Sequence, residues 1–190
     1  MTKLGVLGGT FNPPHIGHLI LAQSALEHYQ LEKILFIPAA KQPHKQNRDI
    51  ISVESRFRMM QLAIEKDNRF EISDIEIKRP GLSYTCDTLT ELKSLYPEAK
   101  LYLIIGGDNI SDMETWKDPE EIFSTVEVVA AKRPDSHPEG IYSSRIALFD
   151  MPQIDVSSTM IRRLVKEGKS ISYLVPVEIE KYIKKHQLYL

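Results

Sequence analysis

With 190 residues, 42% of them hydrophobic, the chain can bury a substantial core and has the length of one domain. A formal net charge of −2 and a pI near 6.3 argue against a protein organised around DNA or RNA, so any anion it binds must be held by local groups. Cys86 is the one cysteine, which excludes an internal disulfide framework and a cysteine-rich zinc site. The start, MTKLGVLGGT, lacks the apolar stretch of a secretory signal, and no apolar run approaches the ~20 residues that span a bilayer. The expectation is a cytoplasmic protein with neither membrane nor nucleic acid as partner.

The first predicted strand, residues 4–7, runs into GGTFNPPHIGHL, residues 8–19. Gly8 and Gly9 allow a tight turn, and they also allow a phosphate to approach backbone N–H groups closely. Neither GxGxxG nor a Walker loop is present. His15 and His18 lie three apart, on one face of the helix whose apolar stripe is Leu19, Ala22 and Leu26. They occupy its first turn, where the dipole disfavours cations and where Asp or Glu would serve stability; the first acidic residue is Glu27. Two imidazoles beside helix-start N–H groups, with Thr10 just before them, form a cluster of donors suited to an anion. A metal pair is the rival reading, though it needs a distant third ligand and HExxH is absent.

A second strand covers residues 34–37 and leads into KQPHK, a loop with Lys41, His44 and Lys45 that reads by itself as a solvated basic loop. Phe57, Met60 and Ile64 mark the next helix. Residues 70–77 alternate and predict an edge strand. A helix is expected to start at Tyr84 or Thr85 in GLSYTCDTL, with Leu89, Leu92 and Leu95 on its buried face. Its free N–H groups could receive a carboxylate, while Asp87 complements the dipole.

The strand 101–105 ends in LIIGGD, where Asp108 has two readings, helix cap or ribose ligand. Trp116, the one tryptophan, lies in a charged stretch and is read either as core or as an aromatic that stacks on a flat ring. Strands at 126–130 and 147–149 flank AKRP, whose Arg133 is a candidate phosphate ligand or an ordinary surface arginine. In IDVSSTMIRRL, Ser157, Ser158 and Thr159 are natural N-caps. Three hydroxyls followed by Arg162 and Arg163 exceed what capping needs, and arginine in a first or second turn opposes the dipole unless an anion stands before it. Ile161, Leu164 and Val165 form that helix's stripe; Val177, Ile179 and Ile183 sit in a last helix entered through Pro176. Continuous apolar strands alternating with helices predict an α/β fold, a doubly wound parallel sheet with a small C-terminal helical layer packed against it.

The segment GGTFNPPHIGHL resembles the GGxFxPxHxGH signature of the nucleotidyltransferase superfamily with an HxGH motif, and in particular its bacterial nicotinate mononucleotide adenylyltransferases. The stretch VSSTMIR is similar to that family's ISSTxIR, with valine for the first isoleucine. The resemblance runs from Lys3 to about Arg163, with both motifs in the family's order. It implies a Rossmann-like core over residues 1–155 and a C-terminal helical segment, 156–190, on the same domain. It implies ATP and nicotinate mononucleotide as substrates, with magnesium accompanying ATP and held by its oxygens and water, without an acidic cage of protein side chains. It assigns catalysis to His15, His18 and Arg162. ATP is expected against Gly8, Gly9, Thr10, Phe11, His15, His18, Ser157, Ser158, Thr159 and Arg162. The mononucleotide is expected against Lys41, His44, Lys45, Thr85, Gly106, Asp108, Trp116 and Arg133, with Thr85 and Trp116 around the nicotinate ring.

Related acceptors, nicotinamide mononucleotide or pantetheine phosphate, stay open at this stage, as does a non-catalytic ATP sensor. A homo-oligomer also stays open: Met59, Met60, Tyr189 and Leu190 suit either core or interface.

Overall fold

The computed structural model describes residues 1–41, 50–132 and 140–190. Six parallel strands form one sheet in the order β3-β2-β1-β4-β5-β6: β1 Lys3–Gly9, β2 Lys33–Pro38, β3 Phe70–Ile72, β4 Lys100–Gly106, β5 Glu127–Ala131 and β6 Ala147–Phe149. Helices α1 Ile16–Tyr29, α2 Val53–Ile64, α3 Ile75–Lys78, α4 Thr85–Leu95 and α5 Pro119–Thr125 fill the crossovers, followed by α6 Ser158–Lys166 and α7 Val177–Lys185. This is the expected doubly wound, Rossmann-like α/β arrangement. Among the described residues no helix is long and apolar enough to cross a membrane.

The apolar runs are continuous because both sheet faces are covered, and successive side chains alternate between two cores. Leu4, Val6, Leu103, Ile105 and Val128 join Leu89, Leu92 and Ile122 on one face. Leu7, Ile34, Phe36, Ile104 and Val129 join Ala22, Ala25, Leu26 and Met60 on the other. Met59 and Met60 are both core.

Four details depart from the expectations. The strand expected over residues 70–77 stops at Ile72, and Ile75–Lys78 forms a helical turn entered where Ser73 Oγ accepts from the Ile75 N–H at 3.4 Å. The buried face of α2 is Arg56, Met59, Met60 and Ile64, with Phe57 half-buried beside it. Leu95 and Val177, at helix ends, point out of their stripes and are exposed. The C-terminal layer packs on Met59 of α2 and on Ile51, through Ile161, Ile171, Val175, Ile179 and Ile183, and not against the strands. The sheet faces are already covered, and the outer side of α2 offers the remaining apolar surface.

One feature of the register positions the site. β1 pairs with β2 as far as Gly9 opposite Pro38, but its pairing with β4 ends at Val6 opposite Leu103. The last residues of β1 and β4 therefore diverge, opening a crevice at the carboxyl edge where the strand order reverses, the usual ligand position in such sheets.

At the centre, Gly5 lets three side chains meet over β1: a Cβ there would lie 2.4 Å from Ile34 Cδ1, 2.8 Å from Ile104 Cδ1 and 2.9 Å from Leu31 Cδ1. Gly5→Ala is expected to destabilise the protein by about 1–3 kcal/mol through overpacking, read as a lower urea midpoint with unchanged slope; an unchanged midpoint would contradict the packing described.

Candidate active site

The loop between β1 and α1 is built to aim the two histidines. Phe11 takes a left-handed backbone conformation, φ 49°, at a cost of about 1–2 kcal/mol for a non-glycine residue. Burial holds it: its ring is 1% exposed and packs on Phe36 at 6.0 Å and edge-on to His18 at 5.0 Å. The side chain of Phe11 thus belongs to the core, and what it can offer a ligand is backbone. Gly8 is exposed at the end of β1, and a Cβ there would meet nothing within 4 Å, so the strand end faces open space.

His15 is the N-cap of α1 and His18 its third residue, with ring centroids 3.7 Å apart. The His15 N–H donates to His18 Nδ1 at 3.1 Å. That bond requires an unprotonated Nδ1, so neutral His18 carries its proton on Nε2 and is a donor there. Burial lowers the pKa of His15 to about 4; burial and the neighbouring His15 hold His18 well below the usual imidazole value. Both rings are therefore neutral near pH 7. Gly17 completes the arrangement, since a Cβ there would come within 3.0 Å of His15 Nδ1.

The amides of this helix start are less free than the sequence suggests. The Ile16 N–H donates to the Leu174 carbonyl at 3.1 Å and the His18 N–H to the His15 carbonyl at 3.0 Å. An anion at the start of α1 would therefore find its donors in the imidazoles more than in the first-turn backbone.

The second motif meets the first directly. Ser157 caps α6, its Oγ accepting from the Met160 N–H at 3.2 Å. Ser158 Oγ donates to the Pro13 carbonyl at 2.8 Å. Arg162 donates through Nη1 to the Asn12 carbonyl at 3.0 Å and through Nη2 to Thr159 Oγ1 at 3.3 Å. Two stretches about 145 residues apart in sequence are thereby joined into one edge. Thr159 is exposed and Arg162 half-buried.

Two residues that sequence reasoning missed complete the loop's anchorage. Arg56, 2% exposed, donates through Nη1 to the Thr10 carbonyl at 2.7 Å and through Nε to the Ile51 carbonyl at 3.2 Å. An arginine four residues before Met60, on the apolar face of α2, was the signal for it. Asn12, 3% exposed, accepts at Oδ1 from Tyr189 Oη at 2.9 Å and from the Ile51 N–H at 3.4 Å. No short-range pattern points to this pairing of Asn12 with the chain's penultimate residue.

Across the crevice, the Lys41 carbonyl accepts from the Ser83 N–H at 2.9 Å, which sets the loop after β2 beside the start of α4. Thr85 is the first residue of α4, and the capping position, Tyr84, supplies no side-chain cap. Trp116 is half-buried against the same core cluster as Tyr84, and its neighbour Lys117 ties it to the start of α4. Lys117 pairs with Asp87 at 2.8 Å and sits over the Tyr84 ring, its nitrogen 5.0 Å from the centroid. The Asp108 carboxylate folds back toward the end of β4: a Cβ on Gly106 would lie 2.6 Å from its Oδ1. Asp108 sits inside a short 3-10 turn that Gly106 caps, so it is not a helix cap. His44, Lys45 and Arg133 lie outside the described residues. Glu76, 8% exposed, accepts from Thr88 Oγ1 at 2.9 Å, and burial raises its carboxyl above the usual range. Cys86 is buried, and burial first, then the Asp87 carboxylate, pushes its thiol up to about 11.

A doubly wound sheet with an imidazole pair at its first helix start, joined to a hydroxyl- and arginine-bearing second helix start, is the framework of a nucleotidyltransferase. The profile of the cytidylyltransferase-like family matches residues 6–164, which include both motifs, and the chain belongs to that family. Within it, the chain is 40% identical over 189 residues to the nicotinate-nucleotide adenylyltransferase of Bacillus subtilis, with 100% of this chain and 99% of the relative covered. It is 42% identical over 200 residues to the probable nicotinate-nucleotide adenylyltransferase of Lachnoclostridium phytofermentans, with both chains fully covered. A solved structure of the Plasmodium falciparum nicotinic acid mononucleotide adenylyltransferase complexed with NaAD shares the fold, with a TM-score of 0.83 over 100% of this chain and 98% of that one, at 19% identity.

The lowered histidine pKa values set a sign for stability. The unfolded chain takes up protons near pH 6.5 and the folded one near pH 4 for His15, so between these values the unfolded state binds more protons. Stability is full above about pH 6.5 and falls on acidification, by up to about 1.4 kcal/mol per pH unit for each histidine. Urea titrations from pH 7 to 5 are expected to show this loss and a shallower dependence in His15→Gln; equal slopes would contradict a neutral, buried His15.

Proposed function

We propose that the protein transfers the adenylyl group of ATP to nicotinate mononucleotide, giving nicotinate adenine dinucleotide and pyrophosphate in NAD biosynthesis. The observation that carries this reading is the direct contact between the two anion-suited helix starts, Ser158 and Arg162 on Pro13 and Asn12, beside the His15–His18 pair. The names of full-length relatives at 40% identity and above support the choice of substrates.

In this mechanism an oxygen of the mononucleotide phosphate attacks the α-phosphorus of ATP in line. A new P–O bond forms, the bond to the β-phosphate bridging oxygen breaks, and pyrophosphate leaves with the electron pair. Positioning of the two phosphates can supply up to ~7–11 kcal/mol of the barrier. His18, neutral with its proton on Nε2, donates to oxygens on which charge accumulates; His15 lies against it. Arg162, the Ser157 and Thr159 hydroxyls and the backbone N–H of Ser158, whose own hydroxyl is committed to the Pro13 carbonyl, hold the leaving phosphates, with Gly8, Gly9, Thr10 and the Phe11 backbone along the strand end. No side chain need act as nucleophile, which fits the raised, buried thiol of Cys86.

We assign the acceptor to the opposite side of the crevice, with the ring near Thr85 and Trp116 and the ribose at Gly106 and Asp108; Lys41 is the described candidate for its phosphate, and the roles of His44, Lys45 and Arg133 rest on the sequence resemblance alone. Among the described residues no three His, Cys, Asp or Glu side chains converge on a common point. Magnesium would accompany ATP, held by triphosphate oxygens and water, and would neutralise part of the triphosphate charge. We infer a cytoplasmic location, where ATP is available as substrate.

The test is pyrophosphate release with ATP, magnesium and, separately, nicotinate mononucleotide, nicotinamide mononucleotide and pantetheine phosphate. Release chiefly with the first is expected; release with none while ATP still binds would replace the transferase with a sensor. His18→Ala should lower turnover roughly a hundredfold, the worth of one well-placed donor at about 3 kcal/mol. A loss of tenfold or less in folded enzyme would remove His18 from that role.

A further inference from the structure

Tyr189, next to Leu190, divides its side chain between two surroundings. Its ring joins the apolar cluster of α6, α7 and Met59, but its hydroxyl leaves that cluster to reach Asn12 Oδ1 at 2.9 Å, across 177 residues of sequence. The acceptor atom is fixed as oxygen because the Ile51 N–H, which can only donate, points at it as well. The phenol is therefore the donor. Burial raises its pKa, which keeps the proton in place. A tail that needed only to fill the cluster would be served by Phe or Leu, without the cost of burying a hydroxyl.

We propose that Tyr189 is a positioning residue for the His15–His18 donor pair, acting through Asn12. Asn12 is gripped twice by the C-terminal segment, at its side chain by Tyr189 and at its carbonyl by Arg162. Between Asn12 and His15 stand only Pro13 and Pro14, whose rings fix φ, so a displacement of Asn12 is passed on to His15 with little relief. His15 in turn orients His18 through its backbone N–H. The last turn of the chain thus sets the aim of a donor at the first helix.

This proposal rests on the adenylyl-transfer reading, and one variant separates the two. Tyr189→Phe keeps the ring and removes the hydroxyl. The expected result is a roughly tenfold lower kcat per folded molecule with KM for ATP within about twofold of the wild type, since small misplacement of a donor costs turnover before it costs binding. A role confined to packing would leave kcat per folded molecule unchanged, and that result would overturn the proposal. Asn12→Ala and the double variant extend the test: the double should lose no more than Asn12→Ala alone, whereas additive losses would show that Tyr189 does not act through Asn12. Inactivity of the wild-type protein toward every acceptor would defeat the transferase reading, not this one. Amide hydrogen exchange then decides: faster exchange at Ile51 in Tyr189→Phe supports the anchorage, and unchanged exchange overturns it.

Discussion

The site depends on four side chains that hold residues Thr10 to Pro13 in place. Arg56 takes the Thr10 carbonyl, Arg162 the Asn12 carbonyl, Ser158 the Pro13 carbonyl and Tyr189 the Asn12 side chain. A loop with a left-handed Phe11 and two consecutive prolines makes few ladder bonds of its own, so its polar groups need partners from elsewhere. Hydrogen bonds with a charged donor contribute about 1.5–3 kcal/mol each, more than the strain at Phe11 costs. The same bonds explain why α6, α7 and the tail stand over α2: they supply the loop's ligands from the side the sheet leaves open.

Placing imidazoles rather than ammonium or guanidinium groups at the start of α1 has a physical logic. A fixed cation there would oppose the helix dipole and, in a half-buried position, carry a desolvation cost. Neutral histidine avoids both, yet still donates a hydrogen bond from Nε2. The permanent positive charge is kept on Arg162, where it is paid for by the Asn12 carbonyl and Thr159 when no anion is bound. The molecule's slight net negative charge fits this arrangement, since attraction for a polyphosphate is local and not spread over a basic surface.

Much of this was legible in the sequence, for reasons that differ by element. Continuous apolar strands at 34–37 and 101–105 announce burial on both faces, and the structure places both inside the sheet, each with a neighbour on either side. His15 and His18 were visible because they break the rule for a first turn, as Arg162 does in α6. The strand expected to reach residue 77 ends early because Ser73 turns the chain at the start of a helix that alternation alone cannot show. Tyr189 and Asn12 were invisible, since their contact joins opposite ends of the chain. An apolar stripe through Phe57 passes one residue away from Arg56, the side chain that is in fact buried, because apolarity alone does not mark a buried guanidinium. The sequence marks Ser158 as a candidate phosphate ligand; the structure gives its hydroxyl proton to the Pro13 carbonyl, which is how the two motifs become one edge.

The central claim is that His18 is a neutral donor at Nε2, held so by the His15 N–H and aimed by the anchored loop. Nitrogen-15 NMR of the imidazole rings at pH 7, before and after addition of ATP, tests it most directly. The account predicts an Nε2-protonated neutral His18 in the free protein, with its ring resonances moving when ATP binds. A charged or Nδ1-protonated His18, or resonances that do not respond to bound ATP, would contradict it.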